Sequence, residues 1–273
     1  MGEIFNTLLI HPIINVLLLF YNGLFFLHVP YALGLAIVGL TIAIRFILYP
    51  LISAQLKASI KMQKVAPHIS ALRDKHKGDR AKIQQETMRL YKEHGVNPAA
   101  GCLPVLVQLP IIWALYSVLQ HIVTLKPNAV VSEINKIVYF DFLKLNSSWD
   151  SYFFGVSLGD MPSKLFTSVG PIILIVPALT AFFQFVLSKM LIPPKKAIAV
   201  VKKENKESPK DASDFAASFQ TQSMYIFPVM IGFFSYTLPI GLSLYWNTFT
   251  IFGIIQQYKI MGLGGLGEWI KRK

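Results

Sequence analysis

Long uncharged, apolar stretches alternate with charged segments along the chain, and this alternation predicts membrane-spanning helices. A helix rises 1.5 Å per residue, so about 20 apolar residues cross roughly 30 Å of hydrocarbon. Tyr31 to Ile52 is such a stretch, interrupted only by Arg45. Gln222 to Tyr258 contains no charged residue, and Pro239 near its middle indicates two short helices joined by a tight turn. The pattern predicts an all-α integral membrane protein with five transmembrane helices, at residues 31–52, 103–125, 165–188, 223–237 and 240–258.

The first 30 residues are apolar but do not fit the pattern of a simple span. They contain no Lys or Arg and no small-residue cleavage site, so a cleavable secretory signal is not expected. His11, Pro12, Asn15 and Asn22 interrupt the apolar run at intervals. We therefore expect residues 1–30 to form an outer amphipathic helix lying in the membrane interface, with an additional span as the alternative.

The segment between the first two spans, residues 53–102, is polar and predicts a cytosolic helical hairpin followed by a linker. Gly78 suits a helix C-terminus and Asp79 can cap the start of the next helix. Apolar positions on the two arms can face each other: Leu56, Ile60, Ile69 and Leu72 on the first, and Ile83, Thr87, Leu90 and Tyr91 on the second. The other connections are an outer loop at 126–164, a cytosolic loop at 189–222 and a basic cytosolic tail at 259–273.

Composition agrees with a membrane protein. Hydrophobic residues make up 53% of the chain and charged residues 15%, whereas soluble domains have about 45–50% and about 25%. The 20 Phe, 11 Tyr and 4 Trp residues argue against a disordered chain. The single cysteine, Cys102, excludes a disulfide within this sequence. A net charge of +12 is compatible with nucleic acid, an anionic membrane surface or topology signals as its cause.

The distribution of basic residues between the spans favours the topological explanation. Residues 53–102, 188–221 and the tail after Tyr258 hold ten, seven and four Lys and Arg. Residues 126–164 hold four, and residues 1–30 hold none. By the positive-inside rule, the N-terminus is expected outside and the C-terminus in the cytosol.

The sequence lacks the arrangements of residues that support catalysis in other proteins. No carboxylate lies in the five predicted spans, and the six histidines lack the spacing of a metal site. No glycine-rich phosphate loop is present. We therefore expect no enzymatic activity, no metal, no small-molecule cofactor and no DNA partner.

Arg45 is the one ionised side chain within a predicted span, and two explanations fit it. Its aliphatic stem can carry the charge toward cytosolic headgroups, since Ile52 at the end of the span is roughly 10 Å of helix rise away. Alternatively, Arg45 faces a wet cavity and a visiting molecule supplies its counter-charge. Polar residues on other spans are compatible with a cavity: Gln108, Gln184, Asn247 and Gln256.

Several segments resemble the core of the YidC/Oxa/Alb insertases. They are Arg45-Phe46-Ile47-Leu48-Tyr49-Pro50-Leu51, Lys61-Met62-Gln63, Pro67, Tyr91-Lys92-Glu93-His94-Gly95-Val96-Asn97-Pro98, Gly101-Cys102-Leu103-Pro104 with Gln108 and Pro110, Leu244-Tyr245-Trp246-Asn247, and Gln256-Gln257. Single pieces are weak, but their order covers nearly the whole chain. The resemblance is to a short form without the large outer domain of Gram-negative relatives.

The resemblance implies a membrane protein insertase and chaperone that passes hydrophobic segments of nascent membrane proteins through a hydrophilic groove into the bilayer. It assigns to the groove the residues Arg45, Gln184, Trp246, Gln108 and Asn247. It assigns client or ribosome contact to the basic residues of the hairpin: Lys57, Lys61, Lys64, Arg73, Lys75, Lys77 and Arg80. A translocase is a further candidate partner.

The expected location is a bacterial plasma membrane, in preference to an organellar inner membrane. Two other functions remain open from the residues themselves. One is a small-solute transporter or channel with Arg45 binding an anion. The other is a membrane-anchored assembly scaffold whose hairpin is the working part.

Overall fold

The computed structural model describes residues 2–76, 79–95, 109–117, 119, 127–191 and 212–270 of the chain, and these residues are mostly helical. The main helices are α1 (His11–Phe26), α2 (Ala32–Lys75), α3 (Arg80–Glu93), α4 (Pro127–Asn135), α5 (Pro162–Val169), α6 (Ile175–Leu191), α7 (Ala212–Thr237), α8 (Ile240–Met261) and α9 (Gly267–Ile270). A helical segment Gly2–Phe5 and a π-helical turn Asn6–Ile10 lead directly into α1. Residues 109–117 are also helical.

Three of the described helices are long and apolar enough to cross a membrane: Glu3–Phe26, Ala32–Met62 and Pro171–Leu191. Met224–Thr237 is a shorter apolar helix. Glu3–Phe26 therefore has the length and composition of a span, so both the interfacial placement and the alternative of a further span remain predictions. Most of the expected span at 103–125, including Gln108, lies outside the described residues.

Two helix boundaries differ from those expected. Helix α2 continues past Ile52, the predicted end of the first span, as one helix of 44 residues. The predicted span at 165–188 includes the end of α5 at Val169 and a 3₁₀ turn, Pro171–Leu174, that leads into α6. Gly170 separates them with φ of +81°, a conformation that glycine adopts without a steric penalty.

The break between helices α7 and α8 lies where the sequence predicts a break. Helix α7 ends at Thr237 and α8 begins at Ile240, on either side of Leu238 and Pro239. The amides at the start of α8 have no partners within their own helix. Two of them donate instead to carbonyls of a preceding segment. The amide of Ile240 donates to the carbonyl of Asp160 (2.8 Å), and the amide of Gly241 donates to the carbonyl of Leu158 (2.7 Å). Hydrogen bonds to Leu158 and Asp160, which are distant in sequence, therefore hold the turn in place.

The chain folds as two compact units. Unit 1 comprises Met1–Ile47, Val105–Phe183 and Pro228–Phe252. Its core is built largely where α1 packs against the first half of α2. Phe20 lies so close to Gly39 that a Cβ at this glycine would be 2.9 Å from the Phe20 ring. Fully buried leucine and isoleucine side chains fill this region: Leu17, Leu18, Leu33, Ile37 and Leu40.

Residues 127–161, here called the connecting segment, are anchored to α1 by polar contacts. The Asn15 amide nitrogen donates to the carbonyl of Ile137 (3.0 Å), and its side-chain oxygen accepts from the amide of Tyr139 (2.7 Å). The segment also contains a two-stranded antiparallel ribbon, β1 (Tyr152–Phe153) and β2 (Val156–Ser157). The described residues are otherwise helical or irregular, so the helical fold class predicted from the sequence is confirmed at this level, with one short ribbon in addition.

Three hydroxyl groups join α6, α7 and α8 inside unit 1. Ser235 lies between the other two, with its Oγ 3.1 Å from Thr180 Oγ1 and 2.7 Å from Ser243 Oγ. All three side chains are buried. Hydroxyls in a bilayer find few alternative partners, so hydrogen bonds between helices are a means of holding them together.

Unit 2 comprises Leu48–Pro104, Gln184–Phe227 and Gly253–Lys273. Within it, Asp79 caps α3 as expected, by accepting a hydrogen bond from the amide of Lys82 (3.0 Å). The cluster between α2 and α3 includes three of the expected residues, Ile69, Leu90 and Tyr91. It is completed by Val65 and Met62, which were not expected. Lys77 and Gly78, at the expected break, lie outside the described residues.

Candidate functional site

Arg45 is buried in unit 1, with 3% of its surface exposed. Its guanidinium carbon lies 3.4 Å from the centroid of the Phe249 ring and 5.9 Å from that of Phe252. Its Nη2 donates a hydrogen bond to the backbone carbonyl of Phe249. A cation over an aromatic face is attracted by the ring quadrupole, and the attraction strengthens when water is removed. Arg45 is thus held against α8 by a ring and a carbonyl.

Among the described residues, no carboxylate neutralises the charge of Arg45. The described residues form ion pairs elsewhere, for example Arg89 with Glu93 and Lys136 with Glu133, and Arg45 has none among them. Its Nε is buried and lacks a hydrogen-bond partner within the described part of the chain. A buried donor without a partner costs free energy. The site therefore retains capacity for an incoming acceptor, and an anionic group matches it best.

The helix α8 that holds Arg45 also carries two other expected groove residues. Trp246 and Asn247 are both partly exposed. The side-chain oxygen of Asn247 is buried and, among the described residues, has no hydrogen-bond donor. Tyr245, one position earlier, is fully buried and packs its ring 5.8 Å from that of Phe249. Polar capacity therefore lies on the same helix as the residues that hold the cation.

Gln184 and Gln108 are the other two expected groove residues. Gln184 belongs to unit 2, where its side chain is buried. Gln108 lies outside the described residues. The candidate site is therefore described from Arg45, Trp246 and Asn247 in unit 1.

Two glutamines of α8 bind backbone carbonyls of other helices in unit 2. Gln256 donates to the carbonyl of Tyr49 (3.2 Å) and to the hydroxyl of Ser53 (3.1 Å) on α2. Gln257 donates to the carbonyl of Met190 on α6 (3.3 Å). Both side-chain oxygens are buried without a partner within the described residues. These contacts hold α8 to α2 and α6. The sequence Gln256-Gln257 did not indicate this packing role.

The basic residues expected on the hairpin arms are placed in part. Lys57, Lys61, Lys64 and Lys75 lie on α2 and are exposed. Arg73 is on α2 and Arg80 begins α3, whereas Lys77 lies outside the described residues. The exposed lysines give the end of α2 a solvated basic surface.

Sequence reasoning missed Phe249 and Phe252, the aromatic residues that contact Arg45. One signal in the sequence was available: Tyr245, Phe249 and Phe252 are spaced four and three residues apart, so they lie on one helix face. An aromatic stripe in an apolar helix is commonly packing, however, and the pairing with Arg45 joins positions 204 residues apart. Within the described residues, no group of three or more His, Cys, Asp or Glu side chains could hold a metal.

The sequence model of the family described as 60Kd inner membrane protein matches residues 25–264 of the chain. The chain belongs to this family, the YidC/Oxa/Alb family of membrane proteins. Relatives from bacteria and from chloroplasts resemble it over most of its length. A membrane protein insertase YidC from Fusobacterium nucleatum is 32% identical, over 85% of this chain and 87% of that protein.

Other members of the family are longer. The chain is 32% identical to the chloroplast inner membrane protein ALBINO3 of Arabidopsis thaliana, over 92% of this chain and 51% of that protein. A YidC from Streptomyces avermitilis is 31% identical over 88% of this chain and 54% of its own length. The chain thus spans about half the length of these two relatives.

A solved structure of the family has a similar fold. It is described as an active YidC insertase crystal structure with the first transmembrane domain resolved. The TM-score is 0.51 at 27% identity, and the match covers 88% of this chain and 45% of that one. Family membership and the apolar helices together make this chain a membrane protein.

Proposed function

We propose that this protein is a membrane protein insertase that transfers hydrophobic segments of newly made membrane proteins into the bilayer and assists their folding. Membership of the YidC/Oxa/Alb family supports this function, as do the insertase names of its relatives. The observation that carries the proposal at the level of residues is Arg45, a buried cation in an apolar helix with no carboxylate among its described contacts.

The proposed mechanism lowers a solvation barrier and forms no covalent bond. Moving an acidic side chain into hydrocarbon is costly because the charge loses its hydration. Arg45 supplies a compensating charge, and the unpartnered oxygen of Asn247 offers an acceptor to a polar segment in transit. Gln184, Gln108 and Trp246 complete the proposed groove. The hydrophobic part of the client then leaves for lipid, where its burial is favourable.

We propose the membrane arrangement given by the charge distribution. Five spans place the N-terminus outside and the C-terminus in the cytosol, with residues 1–30 as an outer interfacial helix. Helices α2 and α3 form the cytosolic hairpin, supported by the contacts of Met62, Val65 and Ile69 with Leu90 and Tyr91. Its exposed lysines favour contact with clients, anionic lipid, the ribosome or a translocase. The proposed location is a bacterial plasma membrane.

Reconstitution of the pure chain tests the function directly. A single-span client with an acidic outer tail is synthesised in the presence of liposomes with and without the protein. Insertion is measured by protection of the tail from added protease. We expect protected client only when the protein is present. Equal protection in empty liposomes would remove the proposal.

A second experiment asks whether the hairpin is needed for insertion. A variant lacking residues 56–92 should lose insertion while its apolar helices remain membrane-embedded, as judged by resistance to carbonate extraction. Continued insertion by this variant would show that the hairpin is dispensable. Cross-linking from Trp246 to a nascent chain provides an independent measure of client contact.

A further inference from the structure

We propose that the connecting segment carries a lipid-binding surface, formed by its exposed aromatic side chains, that inserts into the interfacial zone of the bilayer beside the start of α2. This surface consists of Phe140, Phe142, Tyr152 and Phe154. Their exposed fractions in the protein are 59%, 69%, 58% and 76%. The rings of Phe140 and Phe142 stack with their centroids 5.5 Å apart, and a contiguous exposed apolar surface marks an interaction site.

The position of the ribbon identifies the bilayer as the partner. Phe153 packs directly over Gly34, where an added Cβ would lie 2.1 Å from Phe153 Cδ2. Gly34 is in the first turn of the apolar helix Ala32–Met62, one of the three candidate spans. The first turn of a span lies at the boundary between headgroups and hydrocarbon. The ribbon tip beside it is therefore at the depth where Trp and Tyr form the aromatic belts of membrane proteins and where Phe side chains of interfacial segments insert.

The conformation of the ribbon tip gives an independent reason. Phe154 and Gly155 form the two-residue turn between β1 and β2, with φ of +49° and +87°. Such turns favour Asn-Gly or Asp-Gly, because positive φ is unfavourable for bulky side chains. A phenylalanine at this position is both strained and 76% exposed. Insertion of the ring into lipid supplies a favourable interaction that a water-exposed turn would lack.

The neighbouring chain continues the same apolar surface. Tyr31, immediately before α2, also has positive φ (60°) and stacks its ring 4.9 Å from that of Phe154. At the end of α1, Asn22 donates to the carbonyl of Phe142 (3.3 Å), one turn before the highly exposed Phe26. Residues 151–159 carry no charge. The aromatic surface is thus continuous with the apolar ends of two candidate spans.

Photocross-linking in the full chain tests the proposal. A benzophenone analogue of phenylalanine is placed at Phe154 or Phe142 and, as the matched control, at the exposed Ser148 of the same segment. The protein is reconstituted in phosphatidylcholine–phosphatidylglycerol vesicles and irradiated. We expect phospholipid adducts at 154 and 142 in several-fold greater yield than at 148, measured by mass spectrometry of the peptides. Equal yields at the three positions, or adducts to protein in place of lipid, would overturn the proposal.

A second measurement uses variants that preserve an aromatic side chain. Phe154→Trp and Ser148→Trp each add one tryptophan to the same background. In vesicles containing phospholipid with brominated acyl chains, the added emission of Phe154→Trp should be quenched several-fold more strongly than that of Ser148→Trp. Quenching no stronger than in the control would place the ribbon tip in water and contradict insertion.

Discussion

The guanidinium carbon of Arg45 lies 3.4 Å from the ring centroid of Phe249, and the same arginine donates a hydrogen bond to the Phe249 backbone carbonyl. One aromatic residue therefore provides both a face and an acceptor for the cation. The contact compensates part of the cost of burying a charge without a carboxylate. It also means that an arriving anion must compete with Phe249 for Arg45.

Replacing Arg45 should affect clients according to their charge. In Arg45→Ala, insertion of clients with acidic outer tails should fall at least tenfold, because a hydrogen bond to a charged group contributes about 1.5–3 kcal/mol. Arg45→Lys keeps the charge and should retain most activity. The measurement is protease protection in reconstituted liposomes, with the same client bearing a neutral tail as the control. Equal loss, or no loss, for both clients would show that Arg45 does not recognise the acidic tail.

Removing the Phe249 ring should make Arg45 more accessible. Phe249→Leu keeps apolar bulk but loses a cation–π contact of about 0.5–2 kcal/mol. Modification of Arg45 by phenylglyoxal, followed by peptide mass spectrometry, should become several-fold faster relative to the exposed Arg89. Phe252→Leu is the matched control, because its ring is farther away at 5.9 Å. An unchanged rate in Phe249→Leu would mean that the ring does not restrain the arginine.

The central hydroxyl of the three-helix contact should contribute to stability. Ser235→Ala removes the hydrogen bonds of Ser235 to Thr180 and to Ser243 and should destabilise the protein by about 1–2 kcal/mol. Hydrogen bonds between helices in membranes contribute about 0.6 kcal/mol each on average, and larger values are known. Thermal unfolding in detergent provides the measurement. Thr237→Ala is the control, because among the described residues the Thr237 hydroxyl binds carbonyls of its own helix only. The two variants should differ; the same small effect in both would argue against the proposed role.

Two glycines should respond oppositely to alanine. In Gly34→Ala the new Cβ collides with Phe153, so overpacking should cost about 1–3 kcal/mol. Gly23 on α1 has no atom within 4 Å of an added Cβ, so Gly23→Ala should stabilise by about 0.5–1 kcal/mol through helix propensity. Thermal unfolding compares them. The double variant Gly34→Ala, Phe153→Ala should lose less unfolding free energy than the sum of the losses in the two single variants. Simple additivity would contradict the contact.

The features that could be predicted from the sequence are local ones. The break at Leu238 and Pro239 follows from proline lacking an amide proton. The Asp79 cap follows from a carboxylate accepting a backbone amide within the first turn. The apolar helices Ala32–Met62 and Met224–Thr237 follow from hydropathy alone, because composition determines whether a helix is compatible with lipid. Arg45 also stood out, since a charge in an apolar run is visible without coordinates.

Other features depended on which helix faces meet. The sequence did not indicate that Arg45 packs on Phe249, because an aromatic residue at helical spacing is equally compatible with ordinary packing. It did not indicate that Asn15 binds Ile137 and Tyr139, or that Asp160 caps the start of α8. Asn15 and Ile137 are more than a hundred positions apart in the sequence, and Asp160 and Ile240 are eighty positions apart. No local preference encodes them.

By itself, the sequence determined the apolar helices, several of their ends, the charge distribution and the family resemblance, because each is set by neighbouring residues or by composition. The tertiary structure decided the partners of Arg45, the three-hydroxyl contact and the attachment of the connecting segment to α1. The physical reason is that burial and hydrogen bonding depend on the relative rotation and depth of packed helices. In a bilayer many helix faces are equally apolar, so hydropathy alone does not choose among them.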